Sequence, residues 1–168
     1  MRIRGRFLLV VLFLLVLTAS ASAQSFVAGL SGANEVPPAD PDGSGVAQIT
    51  IIGTTVNYTI TIANIDPPTA QHIHVGAAGV NGPIVVGLPG SFVGNTLVGS
   101  TTAPQATIDA ILANPGGHYV NVHNATFPGG AIRGQLASAT STIPTASAGM
   151  LMLLAAVIVA GALLMLRK

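Results

Sequence analysis

Two short segments carry all four histidines of the chain, and their spacing is the first feature that could do chemistry. In Gln71-His72-Ile73-His74-Val75 the imidazoles alternate with apolar side chains, so a strand would place His72 and His74 on one face and Ile73 and Val75 on the other. In His118-Tyr119-Val120-Asn121-Val122-His123 the valines mark a core face, Tyr119, Asn121 and His123 point the opposite way, and His118 falls with the valines unless a bulge intervenes. Two imidazoles one pleat apart can chelate a transition metal, and His123 could add a third donor if the two strands are neighbours. His72, His74 and His123 are therefore candidate ligands for zinc or copper, with water or Glu35 completing the shell. The plainer reading takes them as hydrogen-bonded polar side chains on a partly exposed face, with no cofactor, and it is preferred because an H-x-H pair alone is a weak signal for a metal.

Other chemistries have less to stand on. Between Gln24 and Thr142 there is no Cys, Lys or Met, which excludes thiol catalysis, Schiff-base chemistry and thiolate-bound zinc. The same segment holds one base, Arg133, against Glu35, Asp40, Asp42, Asp66 and Asp109, a balance of −4 where the whole chain reads +1. A nucleic-acid partner needs a basic footprint, and this segment has none. Asp40, Asp42, Ser44 and Gly45 follow the opening of a calcium loop, but its twelfth position is Ile51 where a bidentate Glu is required, so an ordinary polar connection is expected. No G-x-S-x-G elbow, no phosphate-binding glycine motif and no carboxylate pair at a hydrolytic spacing is present, and an enzyme is not expected. Glu35, beside Pro37-Pro38, is the expected partner of Arg133, a pairing that would fix register more than add stability.

The elements that must position these side chains read as strands. Thr55 to Ile62 alternates strictly, with Val56, Tyr58, Ile60 and Ile62 on one face. Val46 to Ile52 precedes it across Gly53-Thr54, a hairpin turn. Further strands are expected at Ser25 to Leu30, Gln71 to Val75, Ile84 to Leu88, His118 to His123 and Ala131 to Leu136. One helix is expected from Pro104 to Ala113, with Ile108, Ile111 and Leu112 at i, i+3 and i+4 and Asn114-Pro115-Gly116 as its stop. The fold class is all-β: a single antiparallel sandwich with one short helix.

The ends read differently. Arg2, Arg4 and Arg6, the apolar run Phe7 to Leu17 and Ala21-Ser22-Ala23 make residues 1–23 an expected signal peptide. Residues 24–137 form the domain and 138–147 a flexible stalk. Residues 148–166 carry no charge and are long enough for a transmembrane helix, and Arg167-Lys168 form a basic cytoplasmic tail. The domain is thus expected outside the cytoplasm, held to the membrane through that helix.

Linked blocks across the domain resemble the CHRD domain, the module named for chordin and also found alone in exported bacterial proteins. They are Leu30-Ser-Gly-Ala-Asn-Glu35-Val-Pro37-Pro38, Gly45-Val-Ala, His72-Ile-His74-Val-Gly76 and Gly79-Val-Asn81-Gly82-Pro83 with the residues after it. Gly117-His-Tyr119-Val-Asn121-Val-His123 and Pro128-Gly129-Gly130-Ala131-Ile132-Arg133-Gly134-Gln135-Leu136 complete the set. The resemblance implies a compact β-sandwich and little about activity. The family usually carries an acid where this chain has Ala131, which leaves Glu35 as the candidate partner of Arg133. Ile143-Pro144-Thr145, the apolar span and the basic end resemble C-terminal sorting signals of the IPTL-CTERM and PEP-CTERM type, although Ala146 replaces the expected Leu and the Glu-Trp pair is missing. That likeness implies an exosortase-like processing enzyme as a partner; a plain membrane anchor explains the tail equally. The leading expectation is a non-enzymatic, surface-anchored domain for adhesion or interaction with an extracellular protein or polysaccharide, with Glu35, Tyr119, Asn121 and Arg133 as its structural or binding residues. The alternative is an exported metal-binding or redox domain using the three histidines.

Overall fold

A computed structural model describes residues 23–139. The signal peptide, most of the stalk, the transmembrane helix and the basic tail expected above lie outside the described residues. Among those described, no helix is long and apolar enough to cross a membrane.

Nine strands form one sheet: β1 (Gln24–Ser31), β2 (Ser44–Ile52), β3 (Thr55–Ala63), β4 (Pro68–Val75), β5 (Ile84–Gly87), β6 (Thr96–Thr102), β7 (His118–Asn124), β8 (Ile132–Gln135) and β9 (Ala137–Ser138). The order across it is β5-β4-β7-β8-β1-β2-β3-β6, with β9 on β1, and every pairing is antiparallel. At the junction of the two halves, β8 and β1 share a single register pair, Ser31 with Arg133. Side chains of both halves enter one apolar core. The sandwich expected from the alternation is thus one nearly closed antiparallel sheet, sandwich or barrel-like.

β3 shows how the sequence produces this. Val56, Tyr58, Ile60 and Ile62 are buried while Thr59 and Thr61 are not, the period-two pattern of a strand with one face on a core. Gly53 takes the left-handed φ of +58° in the tight β2–β3 turn. Ile60 belongs to the same cluster as Val120 and Val122, and Ile60→Ala is expected to cost about 2–5 kcal/mol. Thr59→Ala, across the strand, should stay within roughly 0.5 kcal/mol of wild type. Urea unfolding of the two variants checks this, and reversed costs would mean that the faces are assigned the wrong way round.

Three features depart from the sequence reading. β6 was not expected, because Val98-Gly99-Ser100 breaks any apolar run; only Leu97 of this strand is buried. Pairing with β3 makes it a strand, and Gly99 faces Tyr58, whose ring fills the space a Cβ would need. The sheet also continues through β9, past the expected stalk boundary, with the Ala139 amide donating to Ser25 O. Helix α1 (Gln105–Ala113) forms as expected and buries Ile108 and Ile111, but Leu112 is exposed.

The largest departure concerns β7, which is buried on both faces. The valine side meets the apolar core; the Tyr119, Asn121 and His123 side, expected to be partly exposed, lies under connecting segments. Loop residues bond down onto it: Gly82 N–H to Tyr119 Oη at 3.2 Å, Asn121 Nδ2 to Gly129 O at 3.5 Å and His123 Nδ1 to Pro128 O at 3.1 Å. A second, polar layer is therefore enclosed between sheet and loops.

Candidate functional site

The polar layer is built on β4, β7 and β8. In the β4–β7 register His72 lies opposite Asn121, His74 opposite Tyr119, and Ala70 opposite His123. His72 and His123 are thus diagonal neighbours on one face, and the small Ala70 beside His123 leaves room for the rings to meet. They do: His72 Nδ1 is 3.2 Å from His123 Nε2, and the His72–His74 and His74–His123 ring centroids are 5.7 and 5.9 Å apart. One nitrogen from each of His72, His74 and His123 lies within 4.8 Å of the others. The fourth histidine, His118, sits with the valines as expected and bonds Asn114 O through Nδ1 at 2.9 Å.

Main-chain carbonyls orient two of these rings. His74 Nδ1–H donates to Gly82 O at 2.9 Å, and His123 Nδ1–H donates to Pro128 O at 3.1 Å. Each bond leaves Nε2 as the lone-pair nitrogen, the arrangement that prepares a histidine to bind a metal. His74 Nε2 is buried with no hydrogen-bond partner, an orphan acceptor that a metal ion would satisfy. Burial, and then the neighbouring imidazoles, hold His72 below the ordinary histidine pKa of 6.5. Burial is also the main cause of the lowered pKa of His123, partly opposed by its bond to Pro128. Both rings are thereby kept neutral. Without metal His72 Nδ1–H donates to His123 Nε2, so ligation through His72 Nδ1 requires its proton to move to Nε2. With metal–nitrogen bonds of about 2.0–2.1 Å, two donors 3.2 Å apart subtend about 100–105°, close to tetrahedral. The cluster holds no carboxylate.

Glu35, considered above as a fourth ligand, points elsewhere. Its Oε2 is 3.9 Å from Arg133 Nε, and the two side chains are 5% and 1% exposed, so the expected Glu35–Arg133 pair is present and buried. Arg133 has closer partners in the loops: Nε–H donates to Asn34 O at 2.6 Å and Nη1–H to Asn81 Oδ1 at 2.8 Å. Asn81 in turn donates to Val36 O at 2.7 Å, which ties the β4–β5 loop to the Glu35 segment. The guanidinium lies 4.8 Å from the Tyr119 ring centre, and that ring stacks on His74 at 5.0 Å and 12°. Three of the four expected structural residues, Glu35, Tyr119 and Arg133, thus form one assembly beside His74. The fourth, Asn121, lies opposite Arg133 in the β7–β8 register, with its side chain bonded to Gly129 O. The calcium-like loop does no such work: Asp40 is buried and accepts from Gly43 N–H at 3.1 Å, closing its own turn.

Asn81 and the carbonyls of Gly82 and Pro128 are the positioning groups that sequence reasoning missed. Backbone carbonyls have no sequence signature. Asn81 stands within Gly79-Val-Asn81-Gly82-Pro83, but nothing in its spacing points to Arg133.

Burial against only a loose ion pair pushes the Glu35 carboxyl up to about 7. A folded-state pKa above the unfolded value means that this group's stabilising contribution is full below about 4.5 and lost as pH rises towards 7. Glu35→Gln, which cannot ionise, should remove that loss. Relative to the variant, wild type is expected to lose about 3 kcal/mol, at most, between pH 4.5 and 7.5. Denaturation of both proteins across this range measures the difference; parallel curves would contradict the assignment.

A β-module with an apolar core on one side of β7 and an enclosed histidine-bearing polar layer on the other is the class that this geometry defines. Residues 26–136 match the CHRD domain, and the chain belongs to that family. No curated protein and no solved structure matches it.

Proposed function

We propose that this CHRD domain is a non-enzymatic, exported module that binds one zinc or copper ion through His72, His74 and His123. The observation that carries the reading is that one ring nitrogen from each of His72, His74 and His123 lies within 4.8 Å of the others, with the His74 and His123 rings already set by carbonyl bonds. The buried His74 Nε2, which has no hydrogen-bond partner, adds an acceptor that a metal ion would satisfy, although Glu35 Oε1, Asn121 Oδ1 and Arg133 Nη2 of the same layer also go unpartnered. Calorimetric titration of the metal-free full chain with Cu²⁺ and with Zn²⁺ tests it. Stoichiometric binding at micromolar concentration or tighter is expected, and binding no tighter than millimolar would leave the histidines as structural polar residues.

Export and anchoring rest on the two ends of the sequence: the basic and apolar start with Ala21-Ser22-Ala23, and the uncharged residues 148–166 followed by Arg167-Lys168. Deleting Met150 to Lys168 should move the protein from the membrane fraction to the soluble one with its β-rich circular dichroism unchanged. Retention in the membrane would overturn the anchor, and cutting near Ile143-Pro144-Thr145 in cells would point to an exosortase-like enzyme. Adhesion remains compatible with metal binding. Val98, 71% exposed on the edge strand β6, and the neighbouring Val93, 85% exposed, favour a contact surface there. Pull-down against envelope extract and purified exopolysaccharide, compared with Val98→Lys, tests that role.

A further inference from the structure

The three imidazoles are not held alike. His74 and His123 are 8% and 9% exposed, and each is fixed by a carbonyl in a covering loop. His72 is only half-buried, and its one hydrogen-bond partner is His123 itself. Solvent therefore reaches the cluster from the His72 side, and His72 alone keeps freedom to swing away. The charge of the cluster is equally one-sided. Three neutral imidazoles would leave a divalent ion at its full +2 charge, and the nearest acid in the polar layer, Glu35, faces Arg133. Three protein donors also leave a four-coordinate ion one ligand short.

Resting on the metal-binding reading above, we propose that the ion keeps an open coordination position on the His72 side. That position takes a small anion from solvent, and His72 is the exchangeable protein ligand. The anion supplies the negative charge that the protein donors lack in a partly desolvated setting, where an unbalanced +2 is costly. A ligand without an outer partner is also the one expected to leave first, because nothing but the metal holds its ring in place.

The test uses the full chain loaded with one equivalent of Cu²⁺ and titrated with sodium azide, followed by near-ultraviolet absorption and electron paramagnetic resonance. An azide-to-copper charge-transfer band that saturates at one azide per copper, with a shifted resonance spectrum, is expected. His72→Ala should retain stoichiometric copper, bind it about 10–100-fold more weakly and release it to a chelator at least about 10-fold faster. His74→Ala should not hold copper stoichiometrically. If copper binds at one equivalent but saturating azide changes neither spectrum, the position is closed and this inference fails while the metal reading stands. Equal losses in His72→Ala and His74→Ala would also overturn it. If wild type takes up no stoichiometric copper, the metal reading itself falls and this inference with it.

Discussion

His74→Ala is expected to weaken Cu²⁺ and Zn²⁺ binding by at least about 100-fold, with little change in the fold. The imidazole contributes the buried, unpartnered Nε2, and its removal leaves two donors of which one, His72, is loosely held. The loss should exceed that of any single surface histidine because His74 is set before the metal arrives, by Gly82 O on one edge and the Tyr119 ring on its face. Titration calorimetry of wild type and variant gives the ratio directly. The pH dependence supplies an internal control. Protons compete with the metal for neutral imidazole, and His72 and His123 are held below the ordinary value of 6.5. Affinity should therefore stay level from pH 8 down to about 6.5 and fall only below it. Equal affinity in wild type and His74→Ala would remove the metal site.

Arg133→Ala is expected to be the most destabilising change in the polar layer, at about 3–5 kcal/mol. It removes the cation from beside buried Glu35 and leaves Asn34 O and Asn81 Oδ1 without their donor. The Glu35 segment and the β4–β5 loop, both tied through Asn81, would loosen together. Because Gly82 follows Asn81 and its carbonyl orients His74, metal affinity should fall as well, although Arg133 touches no histidine. Glu35→Gln in the same background should recover part of the stability at alkaline pH, where Glu35 would otherwise have to be buried as an uncompensated charge. Urea unfolding of the three proteins gives the comparison; an Arg133→Ala cost under about 1 kcal/mol would mean that the loops hold themselves.

Much of the fold was legible because a strand with one buried face writes its period into the sequence. The alternation at Val56, Tyr58, Ile60 and Ile62 needed no partner to be read, and Ile108 and Ile111 gave α1 in the same way. β6 was not legible, since its strand character comes from hydrogen bonding to β3 and from the Tyr58 ring lying against Gly99. Leu112 met the helical spacing and is exposed, because spacing names a face and not what covers it.

For the site, the sequence by itself determined which donors exist and which of them share a side. Parity put His72 with His74 and turned His123 away from Val120 and Val122, while Glu35, an isolated acid beside Pro37-Pro38, was the acid to meet the segment's one cation, Arg133. It could not determine distance. That His123 lies diagonal to His72, with ring nitrogens 3.2 Å apart, follows from the β4–β7 register, which is set by the whole sheet. Nor could it determine burial. Tyr119, Asn121 and His123 are enclosed because the β4–β5 and β7–β8 loops fold over an outer sheet face that alternation alone marks as open, and side-chain period carries no record of what a loop covers. The last decision was made by the carbonyls of Gly82 and Pro128. Every residue has a carbonyl, so only the tertiary structure could say which two would take the Nδ1 protons and turn a pair of histidines into ready ligands.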